Sequence, residues 1–375
     1  MRCPRPGTVA AATVLSLAGA TFVGAPPPAA VGRSAGCDVA QVVHGWPVGR
    51  LARQVLTVPA EETDVAAVRD QVAAGVGGVI LFGSSAPDDL GSQLAALVAA
   101  APGGIAPFVM SDEEGGAVQR MPNLVGRLPS AREMGAMTPR HVRRLATRMG
   151  RRLLAAGVTM DLAPVLDLDD GPGPDSQHPI GTRSFGLDPG VASSHGLAFA
   201  RGLERAGVVP VVKHFPGLGG TSPSTNVGPA ETLPWSYLQK HGLLPYAAAV
   251  DAHIPAVMVA NASVPGLTTD PAGLSSTVIQ GVLRRRLGFH GLVVTDSLSA
   301  GAISAAGYGV PRATVAALRA GADLVLWSTA AGDVDTVVRA TVQRIGYAVR
   351  HDYLSRATLE SAVEAVLTSK DAVVC

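Results

Sequence analysis

Cysteine is scarce: three residues, at positions 3, 37 and 375, stand too far apart to form a metal-binding pattern. Aromatic side chains make up only 4% of the chain, which leaves little material for a surface that stacks nucleobases. Neither sign of charge is in excess. With 30 basic and 29 acidic residues the net charge is +1, so there is no electrostatic footprint for nucleic acid. No glycine-rich phosphate loop and no metal-ligand triad can be found. Long hydrophobic runs are missing as well, because the apolar stretch from about Thr8 to Val23 is too short and too rich in Gly and Ala for a membrane span. No shift of composition marks a second domain.

That first stretch is informative in another way. Arg2 and Arg5 precede it, and small residues with Pro26 to Pro28 follow it, which is the layout of a secretory signal. Residues 1–36 therefore read as a signal and a Pro/Ala/Gly-rich leader, and residues 37–375 as one exported domain. Ser34 to Cys37 is similar to the end of a lipoprotein signal, but Ser34 stands where an aliphatic residue belongs and the apolar run lies far upstream. Lipid anchoring at Cys37 is not the expectation.

The rest of the chain, in a sequence 47% hydrophobic, alternates short apolar segments with helix-like stretches. The segments are Gln54 to Val58, Gly78 to Phe82, Pro107 to Met110, Thr159 to Pro164, Val208 to Val212, Ala256 to Val259, Leu292 to Val294 and Asp323 to Trp327. Eight strands alternating with helices predict an α/β fold, a single-domain (β/α)8 TIM-like barrel. Between them Val142, Leu145, Met149, Leu153 and Leu154 keep a helical spacing. The arginine clusters at 143–144, 151–152 and 284–286 read as solvated faces. A closed barrel brings its ends together, and an exported protein meets oxidising conditions, so a Cys37–Cys375 disulfide is expected. A monomer is expected too.

Strand ends carry the functional signal, since in such a barrel the carboxyl ends face one cavity. They supply Asp112 with Arg120, Asp161 and Asp167, Arg183 in the following loop, the pair Lys213 and His214, Asn261, and Asp296. Taken singly, each has a structural reading: Asp112 holding a loop, Arg120 and Arg183 pairing with rim acids, Lys213 capping a strand, His214 packed in the core, Asp296 capping a helix. Taken together they suit a neutral polyhydroxylated ligand, whose hydroxyls both give and accept hydrogen bonds. An aspartate beneath an anomeric carbon can attack it and form a glycosyl ester, and retaining hydrolysis then needs a proton donor for the leaving oxygen.

In this order, DEEGGAVQR, DLAPVLDL, GTRSFG, VVKHFPG and VVTDSLS resemble the signature blocks of glycoside hydrolase family 3, spread over roughly Leu51 to Ala330. The chain is most similar to the single-domain bacterial β-N-acetylglucosaminidases of peptidoglycan turnover. The resemblance implies retention of configuration, Asp296 as nucleophile, and a grip on an N-acetylglucosamine-containing saccharide by Asp112, Arg120, Arg183, Lys213 and His214. No metal or organic cofactor is implied.

The pattern is broken in one place that matters. Single-domain members carry an Asp-Ser-His acid/base dyad a few residues after KHFPG, and here the aligned residues are Ser224, Thr225 and Asn226. Serine and asparagine exchange no proton near neutral pH. Asn261 and His290 replace a common histidine and aspartate. Asp175 and His178 are the Asp and His nearest to hand, in a Gly/Pro-rich stretch before the RSFG block. Activity on natural substrates is thus expected to be impaired, and the alternative is a degenerate protein that binds sugar or a partner without turnover. A third reading makes Lys213 the Schiff-base lysine of a barrel aldolase, against which stand the acids around it.

Overall fold

The apolar segments become eight parallel strands: β1 (Leu56–Glu61), β2 (Gly78–Phe82), β3 (Phe108–Ser111), β4 (Met160–Asp161), β5 (Val209–Phe215), β6 (Ala256–Val259), β7 (Leu292–Thr295) and β8 (Val325–Leu326). The computed structural model describes residues 39–220, 223–329 and 332–371, together with Met1. The leader, Cys37 and Cys375 lie outside the described residues. By its contacts the chain divides into residues 1–37 and 38–375, and every described element belongs to the second unit.

The sheet order is β8-β1-β2-β3-β4-β5-β6-β7. Its two edges meet through a parallel bridge between Val294 and Leu324 and a 3.0 Å bond from Thr295 N–H to Leu324 C=O. The ring is a (β/α)8 barrel, as the alternation predicts. The first strand is offset from expectation at both ends: Gln54 ends the helix Val48–Gln54, and β1 runs on to Glu61 because its pairing with β2 continues to Glu61 opposite Phe82.

Inside the barrel, Ile80, Met110, Met160, Met258 and Leu324 fill the axis. Its amino end is closed by the last helix, Arg356–Ser369, which sends Val366 into that cluster fully buried. One turn later Lys370 places Nζ 3.4 Å from Gln54 Oε1 and 5.4 Å from the centroid of the Phe108 ring, and burial pushes its pKa down to about 7.

Outside, helices Pro139–Ala155 and Pro189–Ala206 pack closely because glycine stands at the crossing. A Cβ at Gly202 would come within 2.6 Å of Ala146 Cβ, and one at Gly150 within 2.8 Å of Ala206 Cβ. The first helix buries Val142, Met149 and Leu153, while Leu154 is turned to solvent. Arg143, Arg144, Arg151 and Arg152 are exposed, as expected. Arg284 corrects that reading for its cluster: it is partly buried, bonded to Asp323 Oδ2 at 2.7 Å and to the carbonyl of Gly291. Among the described residues no helix is long and apolar enough to cross a membrane.

Candidate active site

Beyond β3 the chain folds into a small hairpin of Glu113–Gly115 and Val118–Gln119. Successive residues of an extended chain point to opposite sides, so Asp112 and Glu114 share one face and Glu113 takes the other. Glu113 pins the hairpin from behind, accepting from the backbone N–H of Arg120 at 2.9 Å and of Met121 at 3.0 Å. The backbone N–H of Glu113 in turn donates to Asp161 Oδ1 at 2.9 Å. Asp161 is buried behind the wall, Oδ2 has no partner, and burial pushes its pKa well above the usual carboxylate value.

Asp112 and Glu114 face three cations. Lys213 Nζ, at the end of β5, sits 2.7 Å from Asp112 Oδ1 and 2.7 Å from Glu114 Oε1. Arg183 Nε and Nη2 each donate to Glu114 at 2.8 Å, and Arg120 reaches Asp112 Oδ2 at 3.3 Å. Burial alone would raise both acids. For Asp112 it is outweighed chiefly by Lys213 and Arg120, and the carboxyl lies well below its usual range. For Glu114, Arg183 and Lys213 bring it down to about 2. Burial works against the Lys213 charge, yet Asp112 and Glu114 hold its pKa above the ordinary value. A lysine so charged is no amine nucleophile, which removes the physical basis of the aldolase reading.

His214 is oriented from behind. Its Nδ1 lies 2.7 Å from Asp167 Oδ2, and Asp167 also accepts from the backbone N–H of Leu218 at 2.8 Å and from Tyr246 Oη at 3.1 Å. Asp167 is fully buried, and burial would raise its pKa, but the His214 contact and these donors keep it below the usual range. Nε2 of His214 lies 3.5 Å from Arg183 Nη2.

Asp112, Glu114, Arg120, Arg183, Lys213, His214 and Asp296 all line one cavity of about 370 Å³. This is the size range of small-ligand pockets. Asp296 follows β7, is partly buried, and accepts the backbone N–H of Ser297 at 2.6 Å. It takes part in none of the ion pairs among the described residues. Beside it the hydroxyls of Ser297, Ser299 and Ser328 form a chain with steps of 3.0 and 2.9 Å.

The loop after β5 closes one side of the cavity with Pro223, Ser224, Thr225 and Asn226. It is held on two flanks: Ser224 N–H donates to Ser176 C=O at 2.9 Å, and the N–H groups of Gly301 and Ala302 donate to Asn226 and Thr225 at 3.2 and 2.8 Å. The two residues aligned with the acid/base dyad thus reach the cavity wall. Asp175 and His178 pair with each other at 3.3 Å but do not line the cavity, although their neighbours Pro179 and Ile180 do.

The structure brings together all six residues singled out as catalytic or sugar-binding. Glu114 was missed, though the second acid of an Asp-x-Glu pair at a strand end has the same-face signal. Asn261 is buried and turned to the backbone of Ser297, to which it donates at 2.7 Å. His290 precedes β7 at the opposite, amino end of the barrel, where it shares a second cavity with Arg284 and Asp323. Its replacement of an aspartate does not touch the mouth.

A parallel barrel that gathers acids, arginines, a lysine and a histidine in one cavity, with an aspartate outside their ion pairs, falls in the class of (β/α)8-barrel glycosidases. The chain belongs to glycosyl hydrolase family 3, whose N-terminal domain matches residues 52–369. A β-hexosaminidase of Mycobacterium tuberculosis, LpqI, is 38% identical over 304 residues, 79% of this chain and 76% of that protein. The solved LpqI structure superposes with a TM-score of 0.80 at 36% identity, covering 89% of this chain and 96% of that one. A β-N-acetylhexosaminidase from Beutenbergia cavernae superposes with a TM-score of 0.79 at 30% identity, covering 87% of this chain and 99% of that one.

Proposed function

We propose that this glycosyl hydrolase of the β-N-acetylhexosaminidase type is exported and removes β-linked N-acetylhexosamine from cell-wall fragments, with retention, through a glycosyl ester on Asp296. The observation that carries the reading is the position of Asp296 in the cavity that also holds Asp112, Arg120, Arg183, Lys213 and His214. Asp112 and Lys213 are fixed in opposite charge states, so they offer an acceptor and a donor to adjacent sugar hydroxyls without rearrangement. Asp296 attacks the anomeric carbon as the bond to the leaving oxygen breaks, and water later cleaves the ester.

Ser224 and Asn226 stand where that leaving oxygen needs a proton, and neither can give one. General acid catalysis contributes about 10²- to 10⁴-fold, or roughly 3 to 5 kcal/mol of barrier. Without a donor from elsewhere, turnover would be slow with sugar leaving groups and faster with acidic phenols. A 2-fluoro glycoside tests the nucleophile: intact-mass analysis should show one added glycosyl unit on the protein and none on Asp296→Asn. No labelling at saturating reagent would sink the reading. Ser224 and Asn226 favour a second reading, binding without turnover, which predicts N-acetylglucosamine binding by calorimetry and no labelling.

Export predicts a mature chain that starts after the apolar run. If Cys37 and Cys375 are joined, its mass rises by two hydrogens on reduction. Light scattering at the monomer mass would fit an enzyme whose cavity is completed by one chain.

A further inference from the structure

The retaining reading leaves one chemical requirement open, a proton for the leaving oxygen, and one pair of titratable residues at the rim without a use. The pair lies in the loop between β4 and the helix Pro189–Ala206. Asp175 Oδ1 accepts the backbone N–H groups of Gln177 and His178, each at 2.8 Å, and Asp175 N–H donates to His178 C=O at 3.0 Å. This closed turn sets the Asp175 carboxylate 3.3 Å from His178 Nδ1. Those backbone donors hold the Asp175 carboxyl below its usual range, so it stays ionised beside the ring. With Nδ1 engaged, Nε2 is the nitrogen left to exchange a proton. A carboxylate that orients an imidazole through Nδ1 is the arrangement general acid/base catalysis needs.

Position supports a use at the mouth. Ser176, inside the turn, accepts the backbone N–H of Ser224, the residue on the cavity wall where the donor is missing. Pro179, next to His178, lines the cavity and is tied to it by Arg183 Nη1 at 2.9 Å. His178 is half-exposed and directly precedes Pro179 of that wall. A solvated loop histidine would need neither the turn nor the backbone link to the catalytic side.

Resting on the retaining reading above, we propose that the Asp175–His178 pair supplies the proton that Ser224 and Asn226 cannot. As Asp296 bonds to the anomeric carbon, the glycosidic C–O bond breaks and its oxygen takes the proton from His178 Nε2. In the second step a water gives its proton back to Nε2, its oxygen bonds to the anomeric carbon, and Asp296 leaves as carboxylate. One water is consumed and the pair is restored. The ring pairs with Asp175, Arg183 is bonded to the carbonyl of the neighbouring Pro179, and residues 223–226 of the facing loop contribute no titratable group.

The test compares kcat/KM for aryl N-acetyl-β-glucosaminides from 2,4-dinitrophenyl to phenyl in wild type, His178→Gln and Asp175→Asn, with 2-fluoro labelling of Asp296 in each. His178→Gln should leave labelling and dinitrophenyl cleavage intact, lower phenyl glycoside cleavage by about 10²-fold, and abolish the alkaline limb of the pH profile. Azide should yield glycosyl azide in that variant. Asp175→Asn should give a smaller loss on the same substrates. An unchanged leaving-group dependence and pH profile in a labelled His178→Gln protein overturns the pair alone. A wild-type protein that is neither labelled nor active on dinitrophenyl glycosides overturns this proposal together with the reading beneath it.

Discussion

Three consecutive acids show how strand geometry distributes work among like residues. Asp112 and Glu114 face the cavity and Glu113 faces the hairpin, because extended residues alternate. Glu114 binds the buried Lys213 and the partly buried Arg183, and taking one partner from such a network costs about 3 to 5 kcal/mol. Glu114→Gln should lower the stability measured by urea denaturation by about that amount; a change within error would show the network to be idle. Its folded pKa, about 2, lies below the ordinary 4.5, so its stabilisation is complete above pH 4.5 and fades as pH falls from 4.5 through 2. Wild-type stability should drop over that window, and Glu114→Gln should drop less. The sequence made Asp112, Lys213 and Asp296 legible because each ends an apolar run. Glu114 was hidden by two acidic neighbours of the same chemistry, and only period-2 reasoning applied within the block would have separated it.

At the level of elements, the apolar runs and helical spacing located all eight strands, since burial on both faces demands continuous apolar residues in a parallel sheet. The clamps on the loop after β5 were not legible, because they join backbone to backbone and leave no side-chain pattern. Gly301 is the exception: a Cβ there would lie 2.6 Å from the backbone carbon of Val227. Gly301→Ala should push that loop from the cavity, lowering kcat/KM about 10- to 100-fold and opening residues 217–234 to limited proteolysis. Wild-type kinetics in that variant would mean the clamp is ornamental. By contrast, Asp188, which caps the helix Pro189–Ala206 through Gly190 and Val191, serves only the frame. Asp188→Ala should cost about 1 kcal/mol in denaturation with kinetics unchanged.

For the whole molecule the telling feature is the base of the barrel, where Val366 and Lys370 approach the starts of the strands. The folded pKa of Lys370, about 7, is below the ordinary 10.5, so the native chain binds fewer protons than the unfolded chain between these values, and stability rises with pH across that window. Lys370→Met should stabilise the protein at pH 7 by on the order of 1 to 3 kcal/mol and flatten the rise, as read by thermal unfolding from pH 7 to 10. A variant that melts with the wild type at every pH would mean the amine is fully hydrated. A barrel whose plug comes from its final helix also has a fixed order of completion. While a ribosome still holds residue 366, the axis has no stopper, and the base of the barrel stays open until the helix Arg356–Ser369 is set free.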